Sequence, residues 1–161
     1  MTNDVARSKI RLLTQIISQG YSSKAWHGPN LEQSLRGVSA KNAAWRPARG
    51  RHNIWEIALH AAYWKYVVRR KLRGDKRGSF ALKGWNWFTR PVEGNANDKA
   101  WREDLAVLEQ EHQKLLDAVA GIGAGKTLKI PSHFIFGVAL HDVYHAGQIR
   151  LLRRLHAGAE R

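Results

Sequence analysis

Asn53-Ile54-Trp55-Glu56-Ile57-Ala58-Leu59-His60-Ala61-Ala62-Tyr63-Trp64 opens the stretch whose reading decides the fold. Asn53 is a helix-capping residue type, and Ile54, Ile57, Ala58, Ala61, Trp64, Val68 and Leu72 recur near the 3.6-residue period. The pattern predicts a helix over 54–72, closed by Arg73-Gly74-Asp75. His60 lies one turn before Trp64 and beside Ile57 and Ala61, so it points to the apolar side.

Working outward, Val5, Ile10, Leu13, Ile16 and Ile17 predict a first helix over about 3–23, capped by Thr2 or Asn3. His27-Gly28-Pro29 breaks the chain. Asn30 with Gln33 forms a capping-box pattern for a short helix over 31–35. A second short turn starts at Ser39 and ends at Trp45-Arg46-Pro47. After the 54–72 helix, Gly78, Gly84, Pro91 and Gly94 interrupt a long irregular segment over 76–96. A loop of that length in a compact fold is expected to cover something. Asn97 or Asp98 caps a third long helix to about Ala120, with Trp101, Leu105, Leu108, His112, Leu115, Leu116 and Val119 on its buried face. Gly121 to Gly125 stops it, 126–131 connects, and a fourth long helix runs over 132–156 with Arg150, Arg153 and Arg154 near its end. Strand signals are weak. The expectation is an all-α four-helix bundle with a long crossover loop, filling 1–161 as one domain.

The composition narrows the chemistry. The 161 residues are 43% hydrophobic and 25% charged, a globular balance. Without cysteine there is no disulfide framework, thiolate metal site or catalytic thiol. No apolar run approaches the ~20 residues of a membrane span. Met1 to Ile10 has no apolar signal-peptide core, so a cytoplasmic location is expected. The net charge of +14 raises nucleic-acid binding as an alternative. The basic residues are scattered, however, with no zinc finger or other recognition motif among them. The seven tryptophans are read mainly as core and loop packing.

The sharpest chemical signal is His141-Asp142-Val143-Tyr144-His145-Ala146-Gly147-Gln148. On a helix, positions i and i+4 share a face, so two imidazoles so spaced can bind one metal ion. They can equally be two unrelated helix histidines. His60, taken alone, can be a hydrogen-bonded core residue. Three histidines on inward faces of two helices nevertheless need partners, and a shared divalent metal supplies them in one step, leaving coordination positions open. Gln148 could position a metal-bound water or orient a ligand, or make a helix–helix hydrogen bond beside Gly147. Glu56 could support His60 or act as a general base, but a first-turn glutamate is also favoured by the helix dipole alone. Asp142 points about 100° away from His141 and is not assigned as a ligand. His27, His52, His112, His133 and His156 have no partnered spacing, with His27 the one placed to approach the site. Tyr144 and Trp85-Asn86-Trp87-Phe88 could wall a pocket, cap the core or meet a second copy.

The chain resembles the DinB-like metal-binding proteins, a family that includes thiol-dependent transferases and isomerases. The resemblance rests on residues 26–31, Trp45-Arg46-Pro47, residues 54–60 with Trp64, residues 141–149, and the terminal Leu151-Leu152-Arg153-Arg154-Leu155. It implies a four-helix bundle with a metal at one end of its core, its ligands falling on His60, His141 and His145. It further implies zinc, nickel or iron as the metal and a homodimer as the assembly. The thiol-binding residues of the transferase members are not located in this chain. The leading functional expectation is a metal-dependent hydrolase or transferase acting on a small molecule, with an anionic one favoured by any nearby arginine. The metal would serve as a Lewis acid or lower the pKa of bound water. The alternatives are a non-catalytic, stress-related metal-binding bundle and a basic nucleic-acid-binding module.

Overall fold

The computed structural model describes residues 2–91, 96–123 and 132–159. Four long helices, α1 (Thr2–Tyr21), α4 (Ile54–Arg73), α5 (Asp98–Ala120) and α6 (His133–Ala159), form the bundle. Two short helices, α2 (Leu31–Leu35) and α3 (Ala40–Ala44), lie between α1 and α4, and a 3-10 turn, Gly121–Gly123, follows α5. No strand occurs among the described residues.

The starts follow local chemistry. Side chains of Asn30, Ser39, Asn53 and Asn97 each accept a backbone N–H three residues on, satisfying a donor the helix leaves free. The Asn30–Gln33 capping box is complete. Gly74 ends α4 at φ 75°, the left-handed conformation that glycine adopts without strain. The expected α4 end at Leu72 is one residue short, and α1 stops at Tyr21 rather than Ser23. Helix α6 runs to Ala159, beyond the expected His156. Arg150 and Arg153 therefore lie outside the last turn, where the dipole acts. Arg153 instead donates to the carbonyls of Ser34 and Arg36, tying α6 to α2. The expected connection over 126–131 falls outside the described residues.

Two apolar clusters fill the bundle. One gathers the first half of α4 with Trp101 and Leu108 of α5, Ile149 and Leu152 of α6, the short helices and Phe88. The other joins Leu13 and Ile17 of α1 to Val68, Leu115, Val119, Ile135, Val138 and Ala139. Helices α1 and α6 approach closely at Gly20, where a Cβ would lie 2.7 Å from the Ala139 carbonyl oxygen. Along α5 and α6, buried polar residues lie between the two clusters: Glu111 and His112, then Asp142 and His145. Leu105 and Leu116, expected on the buried face of α5, are only half-buried, and Glu111 takes a buried place there.

Not all tryptophans pack inward. Trp55 and Trp101 are buried, but Trp26 and Trp85 are exposed and Trp64 is partly so. None of the described helices is long and apolar enough to cross a membrane.

Candidate metal centre

Helix α4 carries His60, and α6 carries His141 and His145 one turn apart. The packing of α4 against α6 brings the three imidazoles together. His141 Nε2 lies 3.1 Å from His60 Nε2 and 3.0 Å from His145 Nε2. One ligand atom from each residue lies within 4.8 Å of the others. His60 and His145 are buried, and His141 is half-buried.

The outer nitrogens fix the tautomers. His60 Nδ1–H donates to the Asn86 carbonyl at 2.9 Å, and His145 Nδ1–H donates to Gln148 Oε1 at 2.7 Å. A neutral imidazole that donates from Nδ1 carries its lone pair on Nε2. Two lone pairs therefore aim at His141 Nε2. A single proton on that nitrogen can serve only one of them well, whereas a cation among the three serves all. His141 Nδ1 is buried without a hydrogen-bond partner among the described residues. Zinc-to-histidine bonds of about 2.0–2.1 Å place nitrogens in a tetrahedral shell roughly 3.3 Å apart, a small widening from the spacing seen. The three histidines thus fit a divalent ion.

Burial dominates the electrostatics. It pushes His141 down to about 3, with the neighbouring His145, His60 and Lys65 charges adding to it. It pushes His145 down to about 4 against the opposing hydrogen bond to Gln148. His60 is also lowered, by burial first, and its bond to Asn86 opposes this. All three are held in the neutral form that can ligate a metal.

The long crossover does cover something. Asn86 has φ 62°, a left-handed conformation that asparagine tolerates, and this turns its carbonyl onto His60 while its side chain accepts from Trp64 Nε1 at 3.0 Å. Trp87 stacks flat on His60, with centroids 3.8 Å apart and planes 6° off parallel. Phe88 is buried in the core, and Trp85 is exposed. Tyr144 is exposed beside His145, and its hydroxyl accepts from Gln148 Nε2 at 2.9 Å.

Residues 25–149 match the sequence model of the DinB superfamily. The chain belongs to the DinB superfamily. No curated protein and no solved structure matches it. The all-α bundle agrees with the family, and the three-histidine group of this DinB-superfamily chain is compatible with metal binding.

Other sequence candidates fall in different places. Gln148 reaches the far nitrogen of His145, and both of its hydrogen bonds stay on α6. Gly147 is exposed and has no close neighbour for a Cβ, so it opens no helix–helix approach. His27 is exposed in its turn rather than near the site. His52 is the histidine that comes close: it stacks on the other face of Trp87 at 3.6 Å. His112 stacks on Tyr21 at 3.9 Å, and His156 packs edge-on to Trp45. His133 lies beside Phe134.

Glu56 does more than meet a dipole. It is buried, takes both terminal nitrogens of Arg46, and accepts from His52 Nδ1 at 3.0 Å and the Arg90 backbone N–H at 3.1 Å. Burial alone would raise this carboxyl, but the donors outweigh it and hold it below the ordinary range. Arg90 also bonds Asp104 at 2.7 Å, and its carbonyl accepts from Asn53 Nδ2. This network latches the crossover loop to α4 and α5. Asp142 is fully buried and pairs with Lys65, away from the three histidines' converging nitrogens.

Proposed function

We propose that this protein binds one divalent metal ion, zinc, nickel or iron, through Nε2 of His60, His141 and His145, and acts as a metal-dependent hydrolase or transferase. The observation that carries the reading is the convergence of three neutral imidazoles with two tautomers fixed by Asn86 and Gln148. A bound ion supplies Lewis acidity to whatever occupies its remaining positions. The protein's own groups supply the setting: Asn86 and Gln148 hold two rings in register, while Trp64 and Trp87 wall the cluster.

The substrate class we propose is a small anionic molecule, drawn by the net charge of +14. Arg46 and Arg90 are engaged with Glu56 and Asp104, so long-range field rather than direct arginine contact favours an anion. We also propose a homodimer, supported by the exposed Leu140, Tyr144, Leu151 and Leu155 along α6.

The test is elemental analysis and zinc titration of protein purified without a histidine tag. One ion per chain is expected, with tight binding lost in His60→Ala, His141→Ala and His145→Ala and kept in His112→Ala. Wild-type affinity in the His60→Ala variant would overturn the three-ligand site.

A further inference from the structure

Three rings stand in one pile at the edge of the metal centre. His60 lies 3.8 Å from Trp87 at 6°, and Trp87 lies 3.6 Å from His52 at 4°. The pile is pinned at both ends. His60 donates to Asn86, the residue before Trp87, and His52 donates to the buried Glu56 one turn before His60 on the same helix. The indole is thus clamped between a loop histidine and a helix histidine.

We propose that Trp87, held from behind by His52, is a positioning residue that sets the plane of the His60 imidazole and thereby the metal affinity of the three-histidine site. The inference rests on the metal reading above and adds residues outside the ligand set. Two physical arguments support it. A ligand ring locked in its bound orientation loses less freedom on binding. The hydrogen bond from Nδ1 to Asn86 fixes one point of the ring but leaves rotation about that bond, and a flat indole removes it. The second argument concerns direction. An imidazole ligating a cation is drained of electron density, so an electron-rich indole face attracts it more strongly than it attracts the free ring. A contact that is stronger in the bound state than in the free one raises affinity.

His52 has a smaller part. It touches neither His60 nor the converging nitrogens; it supports the indole and is itself 45% exposed at the side chain. The ordering of effects is therefore Trp87 before His52. Phenylalanine at 87 keeps a flat, weaker ring and should restore part of what alanine removes.

The experiment is competitive zinc titration against a chelator, on untagged full-length protein, for wild type, Trp87→Ala, Trp87→Phe and His52→Ala, each also in a His60→Ala background. Thermal melts of the zinc-free forms report folding separately. The expected result is an affinity loss of about 10-fold in Trp87→Ala, the lower range for groups that orient a ligand. Trp87→Phe recovers part of it, and His52→Ala loses a smaller factor. The residual weak zinc binding that His141 and His145 keep in the His60→Ala background is not weakened further by the Trp87 substitution, whereas a merely structural role would weaken it there too. Zinc-binding wild type with unchanged affinity in Trp87→Ala overturns the positioning role and leaves the metal site standing. An equal loss with and without His60 also overturns it. A wild type that takes up no zinc overturns the metal reading itself, and the proposal with it.

Discussion

His141 and Asp142 are consecutive residues of α6, yet they belong to two regions that treat burial in opposite ways. At His141, three imidazoles converge, two of them with their lone pairs inward, and nothing among the described residues answers all three. At Asp142, a fully buried carboxylate meets a fully buried Lys65, and one turn further along α4 Arg69 meets Glu111 at 3.0 Å. The second region matches its charges in opposite pairs, although Asp142 Oδ1 and His112 Nδ1 are buried without a hydrogen-bond partner among the described residues; the first gathers like groups with no opposite partner between them. A buried polar layer is therefore not one kind of feature. Complementary pairs offset each other's burial, whereas convergent lone pairs of one type leave a place that suits a cation.

Acid should affect both regions, and we expect it to have the largest effect. His112, at the paired level, is pushed down to about 3 by burial and then by the Lys65 charge. His141 and His145 are pushed down to about 3 and about 4. Unfolded histidines near 6.5 take up protons that these folded ones refuse, so between 6.5 and about 3 the unfolded chain binds more protons. Stability of the zinc-free protein should fall as pH drops through that window and level off above it. Urea melts across pH 4–8 check this, and a flat profile would contradict it.

The next test separates the regions. Asp142→Ala leaves a buried amine without its partner and should cost about 3–5 kcal/mol, while the Lys65→Met/Asp142→Leu double variant should recover most of it. Burial lowers Lys65 and raises Asp142, each opposed by the other's charge, so neither group is comfortable alone. Zinc gives the reverse assignment. At 100 times its Kd it should stabilise wild type by about 2.7 kcal/mol. That increment should survive in Lys65→Met/Asp142→Leu and vanish in His145→Ala. Loss of it in the double variant would show the two regions are one.

The helices and the three histidines were legible because both follow the chain's own period. Asn53 and Gly74 bracket α4, and His141 and His145 share a face by spacing alone. Pairing across elements was not legible. Lys65–Asp142 joins residues 77 positions apart, and the Tyr21–Glu109 bond spans 88. Neither the lysine nor the aspartate departs from helical polarity in a way that marks its partner. His52 was passed over because its relation to His60 runs through Trp87, on a loop whose path no periodicity specifies. The exposure of Trp26 and Trp85 was not legible for a related reason: a tryptophan in a loop has no face to declare its burial.

The smallest expected effect concerns Gln148, and it tests how the convergent region is held. Its Oε1 accepts from His145 Nδ1 at 2.7 Å, and its Nε2 donates to Tyr144, so the amide cannot turn without losing both bonds. Gln148 is half-buried, so water can replace part of what alanine removes. Gln148→Ala should therefore weaken zinc binding by a few-fold, up to about 10-fold, rather than abolish it. Gln148→Glu keeps an acceptor at the same nitrogen and adds negative charge, which makes His145 a stronger donor to a cation; its affinity should equal or exceed wild type. Stability of the zinc-free protein should move little in either case. Chelator competition distinguishes the outcomes: identical affinities for the alanine and glutamate variants would mean that His145 is held by the packing of α6 alone and that its Nδ1 bond contributes nothing to the site.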